Sequence, residues 1–591
     1  MKVKIDGKEY KIDISKGATV LDACAQVGIN ITNLCYSKNL GILSSCRVCV
    51  VEIVGRWNLI PACGINVEEG MEIKTNTARV IQARKTVLEL LLSDHQLDCL
   101  SCARTADCRL KKAAEDSMCD ANRFIKTEIE NRTPDNDRYI TRNQKKCILC
   151  ARCVKVCMAH QEVGVLAING RGIQSRAGVA WDKELGSVPC IACGQCVVNC
   201  PTAALEEKGD LPLLKRKLAD QDTHVVVALA PSTRVALGES FGMEPGTNVE
   251  GKMISALRKL GFDRVFDLNL AADFTIMEEG TELINRIKEN KNLPQYTSCC
   301  PAWINYVTMT HKDLIPNIST TKSPQQIFGA LAKSYYAEKA KIDPKKMHVV
   351  MMMPCVAKAG ETERAGIDSV DPKAKIKDVD QSITVKQFAR LMKEYKIDFA
   401  KLEEEKFDDP LGLSSGAGLI FGTTGGVCEA ALRTIVETQY GTTPQAAKRA
   451  VDFHNVRGEQ GLKEAIIDEL KDANGNPVKV AVVSGISNAE ALIQKIKKGK
   501  AFYHFIEVMA CPGGCVNGGG MPVHDANLQD NFANARKRAS TIYDMDQYNN
   551  LRRSHENPTV KQIYKEFLGE PNGDLAHKLL HSTHKPKKRY N

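Results

Sequence analysis

The sequence contains no run of about 18 or more apolar residues, so no segment reads as a transmembrane helix. Its start, Met1 to Gly7, alternates like a strand and lacks the apolar run of a signal peptide, which makes the cytoplasm the expected location. No G-x-x-x-x-G-K-[ST] phosphate loop occurs, and Gly416-Ala417-Gly418-Leu419-Ile420-Phe421-Gly422 is no dinucleotide fingerprint, because Phe421 stands where the third glycine should be. A nicotinamide, if one is used, must then sit on a partner subunit. With 43% hydrophobic and 26% charged residues, the chain has no mark of a disordered, collagenous or membrane protein. Its 591 residues suggest about three to five domains. The net charge of +10 resembles a nucleic-acid signal, but a four-thiolate iron–sulfur centre carries about −2, and several would bring the loaded protein near neutral. No nucleic-acid partner is expected. The one basic run, 585–589, reads as a solvated terminus.

What the chain has in excess is cysteine: 23 residues, clustered and odd in number, which in a reducing compartment point to metal rather than disulfides. Residues 1–14 read as a hairpin turning at Asp6-Gly7, and 19–27 and 79–93 as helices. Cys35-x10-Cys46-x2-Cys49-x13-Cys63 then offers four thiolates around one loop. This spacing is looser than the plant-type ferredoxin core. A structural zinc site is the alternative, and the β-grasp-like start favours a [2Fe-2S] ferredoxin. The segment resembles the [2Fe-2S] domain at the head of several hydrogenases and of the large NADH-dehydrogenase subunit.

His95-x3-Cys99-x2-Cys102-x5-Cys108 fits zinc and iron–sulfur equally on its own residues; its place between ferredoxin-like units favours a [4Fe-4S] centre. Thr133-Pro134-Asp135-Asn136 reads as a linker turn. Cys147, Cys150, Cys153, Cys157 and Cys190, Cys193, Cys196, Cys200 repeat the two-cluster ferredoxin run, in which the fourth cysteine serves the other cubane. The expected sets are therefore Cys147, Cys150, Cys153 with Cys200, and Cys190, Cys193, Cys196 with Cys157. Four centres in a row form a wire for single electrons.

From about 211 the texture is alternating strands (225–230, 264–268, 348–353, 478–483, 502–509) and helices (385–395, 429–438), several strands being apolar on both faces as in a covered parallel sheet. The end, from about 558, reads as one amphipathic helix and a tail. Three cysteine motifs lie here: Thr297-Ser298-Cys299-Cys300-Pro301, Met353-Pro354-Cys355-Val356-Ala357-Lys358, and Glu507-Val508-Met509-Ala510-Cys511-Pro512-Gly513-Gly514-Cys515-Val516-Asn517-Gly518-Gly519-Gly520. The last two directly follow strands, where α/β sheets bind ligands. Adjacent residues project differently, so if Cys300 is a ligand, Cys299 is free to pass protons. Glu279, Glu282 and Arg286 share one helical face.

Together these motifs resemble the signature of the [FeFe]-hydrogenases, over essentially the whole chain. The resemblance implies dihydrogen oxidation and proton reduction at a cubane held by Cys300, Cys355, Cys511 and Cys515, with Cys515 bridging to a diiron unit carrying CO, cyanide and azadithiolate. It implies a cyanide contact from Lys358 and a proton relay of Cys299, Glu279, Ser319 and Glu282, with Arg286 on the same helical face. It also implies a diiron pocket lined by Pro231, Ser232, Ser323, Gln325, Met353 and Met509. No role is assigned to Cys24, Cys119 or Cys428, which read as small buried hydrophobes. The expected architecture is multidomain α+β and α/β: a β-grasp [2Fe-2S] domain (1–78), a His/Cys3 [4Fe-4S] domain (79–126), a two-[4Fe-4S] domain (127–209) and a two-lobed α/β catalytic domain with its tail (210–591).

Partners implied by the resemblance are maturation proteins and either a ferredoxin or NAD(P)H-binding iron–sulfur flavoprotein subunits of an electron-bifurcating complex; 576–584 resembles the ends of such subunits. The competing readings are a stand-alone ferredoxin-dependent enzyme, an electron-conducting subunit without catalysis, and a sensory or cluster-assembly relative.

Overall fold

The computed structural model describes the whole chain except residues 14–16, 106, 125–134, 137–138, 441–456, 458–460, 524–531 and 590–591. The N-terminal part folds as a five-stranded mixed sheet. Lys2–Ile5 and Lys8–Lys11 form its hairpin, with Asp6 and Gly7 both at positive φ (49° and 85°), the backbone that a two-residue hairpin turn requires. Lys2–Ile5 then pairs in parallel with Glu72–Lys74 across the sheet. The helix Val20–Gln26 buries Val20, Leu21, Ala23 and Cys24 against it; its start is a capping box, Thr19 with Asp22. Helix Ala78–Ser93 carries the chain to His95.

The repeated cysteine runs enter two short helices, Arg152–Ala159 and Gln195–Val198. Each follows a left-handed residue, Ala151 (φ 61°) and Gly194 (φ 73°). The antiparallel pair Ile140–Arg142 and Leu205–Glu207 closes this unit. Asp135–Asn136 is not a linker turn: it pairs antiparallel with Ile140–Arg142, so backbone hydrogen bonding overrides the turn propensity of these residues. Thr133 and Pro134 lie outside the described residues.

The catalytic part is built on two four-stranded sheets. In one, Arg264–Asp267, His224–Leu229, Met347–Met353 and Gln381–Thr384 lie side by side, all parallel. In the other, Gln295–Tyr296, Phe505–Met509 and Pro477–Ser484 are parallel, and Leu462–Lys471 adds an antiparallel edge. All seven residues of Met347–Met353 are buried, as a strand covered on both faces must be. The 22-residue helix Leu268–Glu289 runs between the lobes with buried residues on every side.

Two expectations fail at the C-terminus. The end is not one helix but three short helical segments, Pro558–Ile563, Tyr564–Leu568 and Asp574–Leu580, broken by Gly569 at φ 86°. The basic run is not simply solvated: the Lys587 amide donates to Thr308 O (3.0 Å) and its Nζ to Asn305 Oδ1 (2.7 Å), pinning the tail down.

Helix Ala533–Gln547 is fastened to helix Gly426–Tyr440 by a buried charge cluster. Arg433, fully buried, donates to Glu429 Oε1 at 2.6 Å and to both Asp546 oxygens at 2.9 and 2.8 Å. Removing one partner of such a set strands a charge in a dry interior. Asp546→Ala is therefore expected to destabilise the catalytic domain by about 3–5 kcal/mol, read as a fall in its urea midpoint; a shift under about 1 kcal/mol, typical of an exposed pair, would contradict this.

Candidate active site and its accessory metal centres

The C-terminal ends of the parallel strands converge. Pro231 follows His224–Leu229, Cys355 follows Met347–Met353, Cys511 follows Phe505–Met509, and Cys300 caps helix Pro301–Thr310. Between them lies a cavity. Its walls carry Cys299, Cys300, Cys355, Cys511 and Cys515, together with Lys358, Pro231, Ser232, Gln325, Met353 and Met509. Much of the remaining wall is apolar: Leu268, Ala272, Pro324 and Phe421. Those wall residues went unnoticed in the sequence, where each looks like ordinary core. Ser323 does not line this cavity. It borders the neighbouring one, because its hydroxyl turns back to Glu361 (3.0 Å) and accepts from Lys358 Nζ (2.9 Å).

The loop 511–520 reaches its shape through glycine. Gly513 and Gly514 have φ of 82° and 95°, and a Cβ on Gly514 would lie 2.5 Å from Thr424 N. Burial, then the neighbouring Cys300, pushes the Cys355 thiol up to about 12; burial and the same neighbours push up Cys511 and Cys515. Thiols this dry and this close ionise only against a strong positive charge, so the donor set fits a thiolate-bound iron cluster. Ser232 Oγ and Gln325 Oε1 are buried in the wall without partners, as groups awaiting a polar ligand are. Lys358 is held by Glu361 at 2.7 Å, a residue missed in the sequence although it lies one turn away on the same short helix.

Behind Cys299 stands Glu279, fully buried; the Ser319 hydroxyl and the Ser298 amide approach its carboxyl, but neither closes a hydrogen bond of full geometry on it. Burial first, then the charge of Glu282, pushes its carboxyl up to about 8; the Ser319 hydroxyl and Ser298 amide act the other way. Next, Ser319 Oγ donates to Glu282 Oε2 (2.7 Å) and Arg286 Nη2 to Glu282 Oε1 (2.6 Å). Arg286 is itself tied to the carbonyls of Asn292, Asn317 and Ile318. Glu507, which opens the third cysteine motif, was given no role in the sequence. It is fully buried, pushed up to about 7 by desolvation, and accepts from the Gly425 and Cys428 amides at 2.8 and 2.7 Å. A lone acid inside the apolar strand Phe505–Met509 was the available signal. Cys428 is buried outside the cavity wall, and Cys24 in the N-terminal core.

The accessory cysteines gather as follows. Cys35 lies within reach of Cys46 and Cys63, and Cys63 of Cys49. Cys147, Cys150, Cys153 and Cys200 line one cavity; Cys157, Cys190, Cys193 and Cys196 line another, so each run lends its fourth cysteine to the other set. Cys99 and Cys108 share a cavity with His95; Cys102 is not in its wall. The buried His95 Nδ1 has no partner, and desolvation lowers the ring to about 4, leaving a neutral imidazole free to bind metal. Cys119 borders the same cavity.

These sites are not in a row. Ser45, beside Cys46, donates to Leu149 O (2.8 Å), beside Cys150; the Gln96 amide, beside His95, donates to Lys145 O (2.7 Å). Two outer sites thus dock on the Cys147 unit, and the arrangement branches. At the inner end a Cβ on Gly519 would lie 2.6 Å from Cys193 O and 2.6 Å from Gly194 Cα.

Family models match in order along the chain: a 2Fe-2S iron–sulfur cluster binding domain over 1–78, an NADH-ubiquinone oxidoreductase-G iron–sulfur binding region over 84–123, a 4Fe-4S dicluster domain over 139–209, the C-terminal domain of the iron only hydrogenase large subunit over 223–519, and the iron hydrogenase small subunit over 533–587. An NADP-reducing hydrogenase subunit of Solidesulfovibrio fructosivorans is 44% identical, covering 99% of both chains. Iron hydrogenase 1 of Clostridium pasteurianum is 37% identical over 98% of this chain and 99% of its own. A solved variant of the [FeFe]-hydrogenase of Chlamydomonas reinhardtii is 38% identical, covers 64% of this chain and 100% of that one, and superposes with a TM-score of 0.56.

The raised Glu279 has a consequence for stability. Its carboxyl titrates near 8 when folded and near 4.3 when unfolded. Between these values the folded state holds a proton that the unfolded state has released, so stability falls as pH rises through this window. Glu279→Gln lacks that penalty. Its stability relative to the native chain should grow from about pH 4 to about pH 8 and then level off; urea unfolding at both ends of the window checks this, and a gap independent of pH would contradict it.

Proposed function

This chain belongs to the iron-only, or [FeFe], hydrogenase family, and from that premise we propose how its residues divide the work of interconverting dihydrogen with two protons and two electrons. The observation that carries the reading is the convergence of five thiols and Lys358 on one largely apolar cavity, with a buried carboxyl behind it.

Cys300, Cys355, Cys511 and Cys515 would hold the cubane, with Cys515 the thiolate it would share with a diiron unit carrying CO, cyanide and azadithiolate. When bound, this cluster would supply the site at which dihydrogen is split or formed. Lys358, oriented by Glu361, would donate to a cyanide; Ser232, Gln325, Pro231, Met353 and Met509 would seat the diiron unit and exclude water. Ser323 acts one step back, through Lys358. Cys299 passes a proton from its Sγ to the Glu279 carboxyl. Ser319 and Glu282 carry it outward, and Arg286 anchors the outer carboxylate. A carboxyl titrating near 8 both takes and releases protons near neutral pH.

Electrons travel through one [2Fe-2S] and three [4Fe-4S] centres, two outer ones converging on the Cys147 unit, then the Cys190 unit, then Cys511 across Gly194 and Gly519. We assign 1–78, 79–126 and 127–209 to these carriers and 210–591 to catalysis. The likeness to the NADP-reducing subunit supports a place in an NAD(P)-linked complex, where a flavoprotein partner binds the nicotinamide and bifurcates electrons, and this chain is the one that meets dihydrogen.

Anaerobically matured protein should hold about 20 irons and oxidise dihydrogen with a viologen dye. Cys299→Ser should lose about 10²-fold or more with its iron intact; full iron without uptake would sink the catalytic reading. In Gly519→Val, a side chain forced against Cys193 and Gly194 should slow dye reduction, whereas deuterium exchange between dihydrogen and water, which needs no net electrons, should persist; equal loss of both would refute the assigned electron route.

A further inference from the structure

The closing segment carries a histidine that the proton relay has not yet used. His581 is buried, at the end of helix Asp574–Leu580. Its backbone bridges antiparallel to Thr321, the Lys322 amide donates to Leu580 O (2.8 Å), and the Ser582 amide to Thr320 O (2.8 Å). The ring is therefore held firmly beside the outer carboxylate of the relay.

The ring nitrogens meet polar groups on both sides, and the Asn572 side-chain amide also lies 3.1 Å from Nε2. Nδ1 lies 2.8 Å from Thr320 Oγ1, and Nε2 lies 3.0 Å from Glu278 Oε2. Thr320 Oγ1 is in turn 3.2 Å from Glu282 Oε1. Glu278 is fully buried and accepts from the Asn572 amide (2.7 Å) and from the Tyr564 hydroxyl. So Glu278, His581, Thr320 and Glu282 form one continuous chain of polar contacts, and Glu278 and Glu282 stand one turn apart on the same helix.

Resting on the hydrogenase reading above, we propose that His581 is a side store of the proton relay, taking the proton that reaches Glu282 through the hydroxyl of Thr320. Glu282 faces donors on every approach: Ser319 Oγ, Arg286 Nη2, and the amide and hydroxyl of Thr320. Each of these contacts is a fixed polar path to or from that carboxylate, and the one through Thr320 leads to His581. The Glu282 O–H bond breaks as its proton joins Thr320 Oγ1, and the proton already on that hydroxyl moves to His581 Nδ1. Glu282 ends as a carboxylate, Thr320 is unchanged, and His581 becomes an imidazolium whose Nε2–H donates to Glu278. One proton moves and no electron does. Imidazole can take a proton on one ring nitrogen while donating from the other. The exposed ring of His577, stacked at 4.7 Å, is the neighbour on the other side.

The test uses the matured full chain with Thr320→Val, Thr320→Ser, His581→Gly and Glu282→Gln. Thr320→Val and His581→Gly should slow hydrogen evolution by about tenfold, less than the 10²–10⁴ of a group that meets the substrate, and raise the solvent deuterium isotope effect. Thr320→Ser should keep native values, and added imidazole should restore His581→Gly. Native rate and isotope effect in Thr320→Val would overturn the proposal. So would a slow His581→Gly whose isotope effect is unchanged and which imidazole does not rescue, since that is a structural peg. If the native chain evolves no hydrogen, the hydrogenase reading fails separately. The store is then judged by infrared: the protonated-carboxyl band missing in Glu282→Gln must grow in His581→Gly, and an unchanged band overturns it.

Discussion

Contact between backbones sets the working limit of this molecule. Electron transfer between centres weakens steeply with separation, and every side chain placed between two cluster loops adds to it. At Gly194 and Gly519 the chain removes side chains altogether: a Cβ on either would fall within 3 Å of the other residue's Cα. The same economy recurs at the outer sites, where Ser45 reaches the carbonyl of Leu149 and the Gln96 amide that of Lys145. Arg152 completes the docking: it is fully buried and donates to Tyr36 O and Asn199 O, two carbonyls from different units. Glycine's freedom from a side chain, costly in most elements, is here the condition for passing charge.

Protons are moved under the opposite constraint. The walls that keep water from the thiols also desolvate Glu279, and it is the dryness of its surroundings, more than any single neighbour, that brings its carboxyl near 8. Outward along the path the environment changes in kind. Glu282 is surrounded by donors and Arg286 by carbonyls. In the proposed relay a dry carboxyl inside is thus followed by a donor-rich one outside.

Local spacing made the repeated cysteine runs visible in the sequence, because the members of each run lie within a few residues of each other. The strands ending at Leu229, Met353 and Met509 were readable for the same reason: each is a short apolar run. Gln381–Thr384 and Gln295–Tyr296 were not, being short and polar, and Leu462–Lys471 carries the charges of an edge strand exposed on one side. The orientation of Ser323 was not legible, because it is decided by Glu361 and Lys358, partners that a linear reading does not supply. The branching of the accessory sites was likewise invisible, since it rests on contacts about 50 to 100 residues apart in sequence.

Helix Leu268–Glu289 presents neighbouring acids to different surroundings. Successive residues on an α-helix turn by about 100°, so Glu278 faces Tyr564 and His581, while Glu279 is set apart from that network, among the groups leading to Cys299. Four residues of this one rod, 278, 279, 282 and 286, are committed to fixed directions. A single residue inserted or lost between Leu268 and Glu278 would rotate all four together by that same angle, sending each carboxylate to a neighbour's address. The helix works as a reading frame: its length before Glu278 fixes every later direction.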